Sequence, residues 1–168
     1  MSKQISPIGQ VSYPKVFKAA EELDPASQFK GYSIDLLVEE VPADLMNAID
    51  AAIDANWSDA GKRKKVKAGL KAVSKVPHPL NEDKEVYRIR FKRPTSFGPA
   101  GVVGKKMEAL TEEDLYPGCL AHVMYNVYTY DGDFGSGVGL GFKAIQKTGE
   151  GESFIKGNDL DGFDIIED

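Results

Sequence analysis

The chain holds one cysteine, two histidines and one tryptophan in 168 residues. A lone cysteine, Cys119, excludes an intrachain disulfide and fits a reducing, cytoplasmic setting. His78 and His122 have no thiol cluster around them, and a structural zinc site needs about four such ligands, so none is expected. No apolar run approaches the roughly 20 residues of a membrane-spanning helix, so no membrane association is expected. The opening "MSKQISPIGQ" lacks the apolar segment of a secretory signal. Also missing are a GKS or GKT phosphate loop, a nucleophile elbow and any cluster of histidine with carboxylates. The expectation is a protein with no cofactor and no enzymatic reaction. What is present is a globular composition, 42% hydrophobic and 28% charged, with length for one domain and a tail.

The formal net charge of −5 conceals an uneven distribution. Residues 1–61 hold 4 Lys/Arg against 10 Asp/Glu, and residues 62–106 hold 14 against 3. Residues 107–150 hold 2 against 7, so the first 150 residues are neutral in sum. The entire excess of acid lies in residues 151–168. A neutral body with a strongly basic middle and an acidic end suggests a surface for a polyanion. The division read from this is a domain over 1–150 and an acidic, flexible tail over 151–168.

Periodicity gives the elements. "GQVSYPKVFKA" reads as a strand from Gly9 to Ala19 broken at Pro14, and "FKGYSIDLLVEEV" as a longer strand from Phe29 to Val41. Pro42 then opens a helix on which Leu45, Met46, Ile49, Ile53 and Trp57 recur at helical spacing. The stretch 61–76 reads either as a short basic helix or as a loop that orders on binding, ending at Pro77 and Pro79. "VYRIRFKRP", "VVGKKM" and "CLAHVMYNVYTY" read as strands, and "TEEDLYPG" as one helical turn. "SGVGLGFKAIQK" returns from "CLAHVMYNVYTY" through a hairpin centred on Asp131-Gly132. Five or so strands with a helix between the second and third suit a mainly β fold, a five-stranded Greek-key barrel of the OB type.

"VYRIRFKRP" places Tyr87, Ile89 and Phe91 on one face and Arg88, Arg90 and Lys92 on the other. An ordinary solvated face would mix signs, and "VYRIRFKRP" itself has no acid on this one. With Arg93 beside it, Lys62, Arg63, Lys64, Lys65 and Lys67 upstream and Lys105 and Lys106 downstream, these cations are candidates for phosphate contacts. Tyr87, Phe91, Tyr128 and Tyr130 are candidate stacking platforms for bases, each weighed against a place in the core. Gly135, Gly137, Gly139 and Gly141 leave one strand face bare, open to tight coiling or to close approach of a backbone or ligand. Gly139-x-Gly141-x-x-Ala144 matches a dinucleotide fingerprint in letters only, because no helix follows. In the tail, Asp159, Asp161, Asp164, Glu167 and Asp168 alternate with apolar residues including Phe163. An acidic end is often only solubilising, and the interspersed apolar residues make a docking peptide a better reading here than for a purely acidic run.

The order "VSYPKVF", "YSIDLLV", an "AI"-rich helix, "RP" after the third strand, "DLYPGCLAHVMYNVYTY", "GVGLGFKAIQK" and an acidic end resembles the single-stranded DNA-binding proteins of tailed bacteriophages. The resemblance is most specific from Leu115 to Lys147. It implies an OB-fold core, binding of single-stranded DNA in phage replication, recombination or repair, and a homodimer. It also implies a tail that contacts replication or recombination proteins and competes with DNA for the groove. From the residues alone, a protein-interaction module whose basic face docks an acidic partner stays open, as does a strand-annealing protein.

Overall fold

The computed structural model describes residues 4–17, 31–132 and 135–154. The tail residues Asp159, Asp161, Phe163, Asp164, Glu167 and Asp168 lie outside the described residues.

The alternation in "VYRIRFKRP" is realised at its centre. Strand β5 (Asn81–Arg93) carries Ile89 and Phe91, both completely buried, on its inner face. Its neighbour β3 (Tyr32–Val38) is buried at every residue, Ser33 and Asp35 included. β2 (Gly9–Lys15) pairs with β3, and its register slips between Ser12 and Lys15, where Tyr13 adopts a positive φ of 45°. That irregularity falls where Pro14 removes a ladder donor. β7 (Leu120–Gly132) and β8 (Gly135–Gly149) form a long antiparallel hairpin. β7 also pairs with β2, and β8 meets β5 in parallel at Lys92 and Gly141, so the pairing β2–β3–β5–β8–β7 returns to β2 as a ring of five strands. Three shorter strands extend it: β1 (Gln4–Ile5) on β7, β4 (Val73–His78) on β5 and β6 (Gly101–Val103) on β8.

Helix α1 (Ala43–Asn56) starts after Pro42 and buries Leu45, Ile49 and Ile53 on one stripe packed against β7 and β8. Stretch 61–76 divides in two. Residues Ala60–Ala68 form helix α2, with the Asp59 carboxylate accepting the Lys62 backbone N–H at 2.8 Å as its N-cap. Residues from Val73 form β4, in which Pro77 sits on an edge strand that tolerates it. The chain therefore has two helices between the second and third ring strands, not one.

Two smaller expectations also change. "TEEDLYPG" is a hydrogen-bonded turn, with the Asp114 carboxylate accepting from the Thr111 N–H and hydroxyl, and it does not continue as helix. The β7–β8 pairing runs on through Gly132 and Gly135, so Asp131-Gly132 belongs to the strand rather than to the centre of the turn.

Candidate nucleic-acid interface

β5 changes partners along one edge. β4 accompanies it as far as Val73 opposite Ile89, and β8 takes over at Gly141 opposite Lys92. Across this exchange lies a groove of about 490 Å³. One wall is cationic: Arg88, Arg90 and Lys92 from β5, with Lys71 and Ser74 from the approach to β4 and β4 itself. The other wall carries Tyr128 and Tyr130 above Val138–Leu140 of β8.

Glycine explains why the tyrosines sit there. Tyr128 is opposite Gly139 and Tyr130 opposite Gly137 in the hairpin. A Cβ at either glycine would run into the facing tyrosine ring, so the bare strip lets both rings lie across β8. Burial, with a smaller contribution from Tyr130, raises the Tyr128 phenol above its usual range, which keeps it neutral. Tyr130 is 51% exposed.

The cations are not equivalent. Arg90 makes a two-pronged ion pair with Asp35, Nε to Oδ1 at 2.9 Å and Nη2 to Oδ2 at 3.1 Å. The acid missing from "VYRIRFKRP" is thus supplied by β3, directly across the ladder from Arg90. Lys92 is held below the ordinary lysine range by burial first, then by repulsion from Arg90 and Lys71. Arg88 is lowered for the same leading reason, with Arg90 next. Bringing an anion into the groove relieves that repulsion. The buried Arg88 Nε and Ser74 Oγ, on residues opposite each other in β5 and β4, have no hydrogen-bond partner among the described residues. Both atoms are shielded from solvent, so they mark a polar contact left unmade behind the cationic wall.

A family profile described as the ssDNA-binding protein of Enterobacter phage Enc34 matches residues 7–165. The chain belongs to this family. Its fold is similar to that of the single-stranded DNA-binding protein from bacteriophage Enc34 in complex with ssDNA. That match has a TM-score of 0.58 and 21% identity, over 89% of this chain and 88% of that one. It is also similar to gp2.5, a single-stranded DNA-binding protein encoded by bacteriophage T7. There the TM-score is 0.60 and the identity 13%, over 94% and 97% of the two chains. At such identities the likeness is one of fold. No curated protein sequence matches the chain.

Within this member of the Enc34 family, the remaining candidate residues disperse. Phe91 is fully buried against Tyr125, ring centroids 5.8 Å apart, and has no surface to offer a base. Tyr87 is half-buried and packs on the core, with the Lys75 ammonium 6.0 Å from its centroid. Arg93 is a brace: its guanidinium donates to the carbonyls of Gly98, Phe97 and Phe142 at 2.7, 3.1 and 3.1 Å. On α2, Arg63 donates to the Trp57 and Ser58 carbonyls and pairs with Asp54, and Lys67 pairs with Asp50. The Asp131 carboxyl is lowered chiefly by hydrogen bonds from Ser136 and Trp57, with Lys62 a smaller contributor, while Lys64 and Lys65 are exposed. None of these five lines the groove. Lys105 and Lys106 follow β6, which pairs with Ala144–Gln146, well along β8 from the groove floor. Cys119 is fully buried and its thiol is pushed up to about 11 by that burial, which makes it a poor nucleophile.

Ser74 and Phe97 were not found from the sequence. The signal for Ser74 was its place in a strand hidden inside a lysine-rich stretch. Phe97 stood in a glycine- and proline-rich turn, where periodicity says nothing of direction.

Proposed function

We propose that this chain binds single-stranded DNA without sequence preference, its ring of strands acting as an OB-type barrel. The observation that carries the reading is the single groove in which Arg88, Lys92 and Lys71 face Tyr128 and Tyr130. Backbone-tracking cations beside aromatic rings are the combination that holds a single strand, because phosphates supply charge and unpaired bases supply stacking faces. Membership of the Enc34 family supports the same reading. Phage replication, recombination or repair is the setting proposed for it, with the protein acting as a homodimer.

Titration with fluorescent oligo-dT at two salt concentrations tests this reading. Binding is expected at low salt and is expected to weaken as salt rises, with duplex DNA of equal length held less tightly. Failure to bind any oligonucleotide, or binding indifferent to salt, would sink it.

The acidic tail is proposed to contact replication or recombination proteins and to compete for the groove. Its root is tied to the body. The Phe154 N–H donates to the Pro117 carbonyl at 2.9 Å, the Phe154 ring meets His78 edge-on at 5.4 Å, and the Gly151 N–H donates to the Tyr116 hydroxyl at 3.0 Å. A deletion of residues 156–168 therefore spares this anchor. It is expected to tighten oligo-dT binding several-fold at low salt, read by the same titration. An unchanged affinity would remove competition from the account.

A further inference from the structure

A second pocket opens beside the first. It has a volume of about 480 Å³ and is lined by Pro94, Phe97, Asn126, Tyr128, Phe142 and Lys143, among others. Lys92 and Tyr128 line both this pocket and the basic groove, so the two are continuous. The volume is within the range of about 300–1,000 Å³ typical of small-ligand sites.

Phe97 is the unusual residue here. It is 67% exposed, a large apolar ring given to solvent on a short 3-10 turn, Thr95–Phe97. The ring is nevertheless held in place. Arg93 donates to the carbonyls of Phe97 and Gly98, which fixes the turn, and to the Phe142 carbonyl, which fixes the turn to β8. The same guanidinium stands 5.6 Å from the Phe97 ring centroid, so one face of the ring is supported by a cation. A rigid, supported and exposed aromatic ring loses little entropy when a flat partner covers it.

Below the pocket, Asn126 is opposite Gly141, the last of the alternating glycines. A Cβ at Gly141 would come within 2.9 Å of the Asn126 Oδ1, so glycine here admits the amide just as Gly139 admits Tyr128. Asn126 is exposed, which leaves its amide able to meet the polar edge of a ring lying on Phe97.

We infer that Phe97 is a second stacking platform, and that a bound strand runs from the tyrosine groove past Tyr128 to place a further base on Phe97. The inference rests on the single-stranded DNA reading above. The occupant is a nucleobase rather than an apolar peptide because the pocket is entered along the basic groove. Lys92 stands where a phosphate linking two bases would cross, and exposed Lys143 stands on the rim. One ring on the tyrosines, a phosphate at Lys92 and the next ring on Phe97 is the alternation of a polynucleotide.

The test compares wild type, Phe97→Ala and Phe97→Trp for oligo-dT binding at low and high salt, with sedimentation of each protein. Phe97→Ala is expected to lose roughly tenfold in affinity at both salts with the salt slope unchanged, as for one lost stack. Phe97→Trp is expected to bind as wild type. Its added tryptophan emission should be quenched by oligo-dT beyond any change from Trp57, which is only 8% exposed. Wild-type affinity in Phe97→Ala, or a loss accompanied by a changed slope, would overturn the platform and leave the groove reading standing. A changed oligomeric state with unchanged affinity would assign the ring to a contact between copies and overturn it too. If wild type binds no oligonucleotide, the functional reading itself falls, and the platform with it.

Discussion

Replacing Asp35 with alanine is expected to destabilise the fold by about 3–5 kcal/mol, the largest loss from any single substitution considered. The Asp35 side chain is 2% exposed and that of Arg90 10%, so removing the carboxylate strands a guanidinium in the interior. The cost is mainly the uncompensated charge rather than the lost bond. A second variant separates the two. Asp35→Ala combined with Arg90→Met removes both charges and is expected to recover much of the stability, because no uncompensated charge is left in the interior. Urea denaturation monitored by circular dichroism checks both. A single mutant within about 1 kcal/mol of wild type would show that water or the surface reaches Arg90 and screens it. The double mutant carries a functional consequence as well. If Arg90 serves as the brace of the cationic wall, oligo-dT affinity is largely kept; a loss comparable to that of Arg88 variants would return Arg90 to the phosphate contacts.

Asp35 also marks the limit of what strand alternation encodes. Alternation in "VYRIRFKRP" placed Ile89 and Phe91 in the core and the three cations on the opposite face, because a period of two encodes sidedness directly, but it did not show that Arg90 is largely buried there with Asp35. The same logic located α1. Register is a different quantity. That Asp35 is opposite Arg90, and Tyr128 opposite Gly139, depends on how strands align, which no single strand's pattern contains. An acid within the apolar run "YSIDLLV" was the available hint, since a buried carboxylate calls for a cation. The glycine strip was visible as a bare face, but its occupants were not. The pairing of Arg63 and Lys67 was hidden for a similar reason. Charge counting saw the cations of α2 without the acids of α1, where Asp50 and Asp54 take Lys67 and Arg63. β4 was obscured by that same run of lysines and by Pro77, which an edge strand accommodates.

The corrected placement narrows the electrostatics to few residues, and a second large effect follows. Replacing Lys71, Arg88 and Lys92 together, as Lys71→Ala, Arg88→Gln and Lys92→Gln, is expected to reduce the slope of log K against log salt by about 2, since each single-strand phosphate contact contributes roughly 0.7. The counterion contribution vanishes toward 1 M salt, so the triple variant and wild type should converge there. At 0.1 M they should differ on the order of 100-fold, the same slope change taken over one decade. Glutamine at 88 and 92 keeps the aliphatic Cβ–Cγ stem and a polar head in the half-buried wall, and circular dichroism checks that the fold survives. The matching change of Lys64 and Lys65 to alanine is the control. Both are exposed on α2 and neither lines the groove, so their removal is expected to shift the slope far less. An equal shift from the two sets would mean that the strand follows α2 rather than the β5 edge. A triple variant weakened by the same factor at every salt concentration would mean that these side chains act by shaping the tyrosine wall. Only a loss that fades as salt rises identifies Arg88, Lys92 and Lys71 as the residues that neutralise phosphate.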